Sequence, residues 1–228
     1  MFVNSAADNV RTFIARNYRT IASIVFQGVS VPVFLYIYRS DSRTSSSWLI
    51  HHPVYFALLA VTGAMASHGL SALVSIIFPA DISGTYNEIQ NSIFAASPWL
   101  VIIQTVVLAP VSEEILFRGI IFRRLEAFTD YFIVRALISS AIFGIYHMNL
   151  SQGIFAFAFG LLCCAVYYSM NSLWASIVLH AGGNLLSVIM VYTDFKYSSE
   201  IAYIAVMCAC LAGAAVVYCF VLRPKRGR

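Results

Sequence analysis

The chain has 228 residues, of which 60% are hydrophobic and only 11% charged, with a formal net charge of +4 and a mean hydropathy of +0.80. That composition excludes an ordinary soluble domain. The modest positive charge reflects basic residues flanking apolar stretches and does not argue for a nucleic-acid partner.

A hydrocarbon core about 30 Å thick needs about 20 apolar residues per helix. Taken in order, the candidate spans are Ile21–Tyr38, Val54–Phe78, Ile93–Val111 (running on toward Phe122), Phe132–Met148, Gly153–Tyr168, Leu173–Tyr192 and Ile201–Leu222. The expected fold is therefore all-α, a polytopic bundle of about seven or eight spans with the lipid bilayer as its surroundings. No repeat or long polar segment divides it. Residues 1–92, an N-terminal segment with the first spans, and residues 93–228, the core, form one domain.

Ahead of Ile21, Val10, Phe13, Ile14 and Tyr18 recur at helical spacing against Arg11, Arg16 and Arg19, which predicts a short interfacial helix. No small-residue cleavage site follows, so the segment does not read as a cleavable signal. Arg118, Arg123, Arg124 and Arg135 flank one connection, and Arg223, Lys225, Arg226 and Arg228 close the sequence. The basic residues of short loops favour the cytoplasmic side. Both groups, and with them the C-terminus, are expected there, and the Asp81–Glu88 loop outside. The five cysteines, Cys163, Cys164, Cys208, Cys210 and Cys219, all fall in apolar stretches and read as small packing residues.

Glu113 and Glu114 interrupt the apolar third span in APVSEEILFRG. A charged side chain at the centre of a membrane helix costs about 2.5–3.5 kcal/mol even on lenient scales, so paired acids demand a reason. Glu114 and Arg118 are four apart and read as an ion pair on one helix face. Glu113, turned about 100° away, is left free. Two further apolar helices each carry polar groups. His147 follows Phe143 by one turn in FGIYHMN, and His180 and Asn184 share a face in LHAGGN. Gly182 and Gly183 between them admit a close helix neighbour. His51, His52 and His68 have no such company and read as non-catalytic.

A lone membrane histidine or asparagine is often interhelical glue, and the Glu114–Arg118 pair is structural support. The joint pattern asks for chemistry. A carboxylate in a low-dielectric cavity becomes a stronger base, a histidine can hold the attacking water, and a histidine with an asparagine can meet a developing oxyanion. Those are the requirements of peptide hydrolysis. Glu113, His147 and His180 could equally ligate zinc, although HExxH is absent.

EEILFR, FGIYH and HAGGN, in that order, match EExxxR, FxxxH and HxxxN. With them the chain resembles the CAAX protease and bacteriocin-processing enzymes, intramembrane proteases that include the Ras-converting type of prenyl protease. The likeness covers roughly residues 110–184. It implies a multi-pass helical fold, an in-membrane catalytic cavity and cleavage of a membrane-associated peptide or protein substrate. By motif position it implies Glu113 as base, His147 as the partner that orients water, and His180 with Asn184 on the oxyanion side. Glu114, Arg118 and Phe143 would support them. No cofactor is required by this reading, and zinc is the alternative. A bacterial plasma membrane is the expected location. The rival class is a non-enzymatic membrane protein, a bacteriocin-immunity scaffold or a transporter, but no repeated pair of broken helices favours transport.

One tension accompanies the site. At 1.5 Å per residue, His147 lies roughly 22 Å from the start of its span, while Glu113 lies roughly 8 Å from Arg118. For the three helices to share a site, the Asn149–Gln152 turn must be sunk toward the bilayer interior, which a wet cavity tolerates.

Overall fold

The computed structural model describes residues 2–41, 53–78, 91 and 93–219. His51, His52, the Asp81–Glu88 loop and the basic residues after Leu222 lie outside the described residues. The described chain is a helical bundle, here labelled α1 (Phe2–Ser40), α2 (Pro53–Ile77), α3 (Pro98–Ala127), α4 (Phe132–Tyr146), α5 (Leu150–Met170), α6 (Leu173–Tyr192) and α7 (Glu200–Val217). Six of these are long and apolar enough to cross a bilayer, and α4 is a shorter apolar helix. Large apolar side chains such as Phe26, Val29 and Val33 are exposed on the outside, as lipid-facing positions should be.

The amphipathic segment before Ile21 does not form a helix of its own. It continues without a break into α1, whose 39 residues extend about 58 Å at ~1.5 Å each. Two of its polar residues, Arg16 and Asn17, dock on the segment leading into α3. Arg16 Nε donates to Ala95 O at 2.8 Å, the Ser97 N–H donates to Asn17 Oδ1 at 2.7 Å, and Phe13 stacks on Trp99. Asn17 thereby satisfies a donor at the start of α3, where Pro98 needs none.

Helix α3 is not a regular α-helix. Two π-helical stretches, Ile102–Leu108 and Ile115–Phe122, bracket Ala109–Glu114. Pro110 lacks the N–H that an α-helical bond would use, so widened turns are tolerated immediately before it. The result is that Glu113 and Glu114 sit on a short regular segment between two wide ones.

Helix α4 answers the depth problem. Its 15 residues reach only about 22 Å on ~1.5 Å per residue, less than a bilayer core. The chain then turns through His147 and Met148, the latter left-handed at φ 53°. Asn149 caps α5 by accepting from the Gln152 N–H at 3.1 Å. The polar turn lines a cavity, since Ser151 and Gln152 both border it.

Helices α2 and α6 form the most extensive interface. A Cβ on Gly63 would lie 1.8 Å from Leu179 O, and one on Gly182 would lie 2.1 Å from Ala60 O. The two backbones therefore touch, which only glycine allows at these positions, and the contact fixes the height of His180. We expect Gly63→Ala to push α6 away from α2. Overpacking of this kind costs about 1–3 kcal/mol, so the apparent Tm in detergent should fall; an unchanged Tm would contradict the backbone contact.

The core lies around these crossings. Leu59, Phe159, Cys163 and Leu179 pack in one cluster, and Tyr38, Ile115, Phe122 and Leu173 in another. Cys163 and Cys164 are buried and unpaired among them. His68, on α2, meets the Tyr197 hydroxyl in the loop between α6 and α7.

Candidate active site

The packing of α3, α4, α5 and α6 brings the polar residues of three separate sequence stretches to one cavity of about 510 Å³. Glu113, Phe143, His147, His180 and Asn184 all line it. Glu114 and Arg118 lie behind them, wholly buried.

The two glutamates divide as their helical phase predicts. Glu114 Oε1 accepts from Arg118 Nη1 at 2.8 Å, with neither side chain exposed. Arg118 Nη2 donates to Gly160 O at 2.9 Å, and the guanidinium lies 4.7 Å from the centre of the Phe143 ring. Glu113 keeps 13% of its side chain accessible in the cavity, and its Oε2 stands 3.8 Å from His180 Nε2.

Pairing with Arg118 alone was too narrow a role for Glu114. The same Oε1 also accepts from His180 Nδ1, at 2.9 Å. A carboxylate beside a guanidinium is an acceptor only, so Nδ1 carries a proton, and Nε2 faces Glu113. His147 is fixed in the same way. Its Nδ1 donates to Phe143 O at 2.8 Å, one turn back on its own helix, again leaving Nε2 as the free nitrogen. Phe143 thus does three things: its carbonyl orients His147, its ring meets both imidazoles edge-on at 4.8 and 5.9 Å, and its face receives Arg118.

Asn184 faces the cavity from α6, one turn after His180. Its Nδ2 donates to Thr105 O at 2.8 Å, a carbonyl in the first π-helical stretch of α3. One N–H of that amide remains for a ligand.

Both histidines therefore have the outer-shell acceptor that a metal-bound imidazole needs. Glu114 supplies one of the two acceptors, a role that its ion pair with Arg118 does not preclude. The ligand set itself fits less well. Among the described residues, no three His, Cys, Asp or Glu side chains lie close enough together to hold one ion.

Two contributors carried no sequence signal that a motif would flag. Gly160 is one: a Cβ there would sit 3.0 Å from Arg118 Nη2 and 3.1 Å from Ser140 Oγ, so its bare backbone makes room for the guanidinium. Helix α2 is the other, lending Ser67, Ser71 and Ser75 to the cavity wall. Those serines stand at four-residue spacing, a signal visible in the sequence only once α2 is known to face the site.

Residues 95–186 match the family described as type II CAAX prenyl endopeptidase Rce1-like. That stretch contains all of EEILFR, FGIYH and HAGGN. The chain is also 32% identical over 141 residues to "Putative membrane peptidase YdiL" of Bacillus subtilis (strain 168), an alignment covering 58% of this chain and 55% of the relative. The chain thus spans about half the length of that relative. No solved structure matches. The resemblance read from the three motifs holds over the core.

Proposed function

From a core that resembles the Rce1-like endopeptidases, we propose that this chain is an intramembrane endopeptidase that cuts a peptide bond of a membrane-associated or lipidated substrate with a glutamate-activated water. The observation that carries the reading is the division of the adjacent glutamates. Glu114 is bound by Arg118 and His180, whereas Glu113 is partly accessible and faces the cavity beside His180 Nε2.

In this reading a water lies between the Glu113 carboxylate and the free Nε2 of His147, which accepts one of its protons in a hydrogen bond. Glu113 removes the other proton as the water oxygen attacks the scissile carbonyl carbon, then returns it to the departing amine. The oxyanion is met by the second N–H of Asn184 and by His180. Because His180 Nδ1–H is committed to Glu114, donation from Nε2 needs a second proton on the ring. The carboxylate of Glu114 would face the resulting positive charge throughout, and that of Glu113 until it takes the proton from water.

Comparative proteomics of membranes carrying the wild type or Glu113→Ala tests the activity. A membrane peptide cut only with the wild type is expected. Identical cleavage products in both would leave a non-enzymatic scaffold as the better account.

The metal question separates by chelation. If zinc were held, Glu113, His147 and His180 would be its ligands and Lewis acidity its contribution. The dispersed ligand positions support the metal-free reading instead. Strong chelation followed by dialysis is expected to leave cleavage intact. Activity lost on chelation and restored by one zinc per chain would make Glu113 a ligand and end its role as base.

A further inference from the structure

Gln27, on α1, and Gln104, in the first π-helical stretch of α3, both border the cavity, and the catalytic scheme uses neither. The Oε1 atom of each is buried and takes part in no hydrogen bond among the described residues. A buried polar atom without a partner carries an uncompensated desolvation cost, so its presence in a native fold asks for a reason. Asn184 shows what an amide that braces the bundle looks like here, since its Nδ2 donates to Thr105 O. Gln104, the neighbour of Thr105 in the chain, has no such bond.

The two glutamines belong to one wall. Helix α1 runs beside α3 in the same direction: Asn17 accepts from the Ser97 N–H, and Tyr38 packs against Gly119, where a Cβ would come within 3.0 Å of its ring. At about 1.5 Å per residue, Gln27 stands some 15 Å beyond the Asn17 contact, at a level between Gln104 and Glu113. The same arithmetic puts Gln104 about 13 Å along α3 from Glu113.

A peptide bond within a helix has its N–H and C=O already engaged, so a segment must be extended where it is cut. Extension frees backbone N–H groups, and in a cavity at membrane depth these need acceptors that bulk water does not supply. An extended chain advances about 3.3 Å per residue, so the stretch from Gln104 to Glu113 spans about four residues of it.

Resting on the peptidase reading, we propose that Gln27 and Gln104 form a substrate-positioning subsite whose side-chain oxygens accept backbone N–H groups of an extended peptide, within about four residues of the bond to be cut. Each carboxamide reaches the peptide by rotating about its side-chain torsions, and an unmet oxygen becomes a bonded one. Recognition of this kind is indifferent to the substrate's side chains. Helix α1 lies wholly outside residues 95–186, the stretch matched to the Rce1-like family, so half of the subsite comes from this chain's own N-terminal segment.

Gln27→Met and Gln104→Met test this, because methionine keeps the unbranched reach of glutamine and lacks its amide. The probe is a synthetic copy of a peptide that membranes with the wild type cut and membranes with Glu113→Ala do not. Each substitution should raise KM for that peptide about 3- to 10-fold and leave kcat within about twofold, the pattern of a contact made equally in ground and transition states. The Tm in detergent should hold or rise, because an apolar group replaces an unpartnered oxygen. A fall in Tm, or a loss confined to kcat, would overturn the proposal, since the amides would then be serving the fold or the chemistry. Copies of the peptide methylated at single backbone nitrogens, the scissile one excepted, locate the donors. At least one should raise KM for the wild type and add nothing further for the glutamine variant that pairs with it. If none does, backbone N–H groups are not what these amides hold. Unchanged KM in both variants, with Glu113→Gln inactive, removes the subsite alone. If the wild type cuts no membrane peptide, the peptidase reading falls and the subsite with it.

Discussion

Glu113→Gln is expected to abolish cleavage while leaving expression and Tm near those of the wild type. Glutamine has nearly the shape of glutamate but cannot take a proton from water, so the base is lost and the volume kept. Loss of a positioned general base typically costs about 100- to 10,000-fold in rate. Stability should hold because, among the described residues, Glu113 makes no short ion pair; His180 Nε2 is 3.8 Å away, and part of the Glu113 side chain faces the cavity. Purified wild type and variant would be compared on whichever peptide the membrane proteomics identifies, with Tm measured in the same detergent. Turnover retained in Glu113→Gln would sink the mechanism.

Glu114→Gln should behave in the opposite manner, losing stability as well as activity. The substitution removes the carboxylate bonded to Arg118, a residue with no exposure, and leaves its charge facing Gly160 O and the Phe143 ring. Breaking a buried pair by deleting one partner costs about 3–5 kcal/mol. Activity falls for a second reason. A glutamine at this position can present its N–H₂ rather than an oxygen to His180 Nδ1, which would release the ring from its orientation and remove the negative charge facing the doubly protonated ring that meets the oxyanion. The measurements are Tm and cleavage for Glu114→Gln beside the double variant Glu114→Gln/Arg118→Met. The double variant removes the orphaned charge and should recover much of the Tm, but none of the His180 orientation and hence little activity. A Glu114→Gln protein as stable as the wild type would show that the pair is not held as described.

The contrast between these two adjacent acids was legible in the sequence, because it depends on phase along a single helix. Glu114 is four residues from Arg118 and Glu113 is not, and the pair forms even though wide turns begin at Ile115. The bundle architecture was legible for a similar reason, since apolar stretches of membrane length have few alternatives to helix. The order EExxxR, FxxxH, HxxxN was enough to name the resemblance that the match over residues 95–186 also carries.

What the sequence left open were contacts between helices. His180 to Glu114 spans 66 residues, Asn184 to Thr105 spans 79, and Arg118 to Gly160 spans 42. No local periodicity specifies such pairs; they follow from which helix faces touch and at what height. The α2–α6 crossing at Gly63 and Gly182 sets that height for His180. The shortness of α4 does so for His147, whose distance from the start of its helix looked like an obstacle until the turn after it proved to line the cavity. The N-terminal segment was misread as a separate interfacial helix because amphipathic spacing is the same whether the apolar face meets lipid headgroups or another helix. Only the bundle supplies Ala95, Ser97 and Trp99 as its partners. Composition and spacing thus decide what each helix is, since backbone satisfaction and phase are local. Packing alone decides which polar atoms share a cavity.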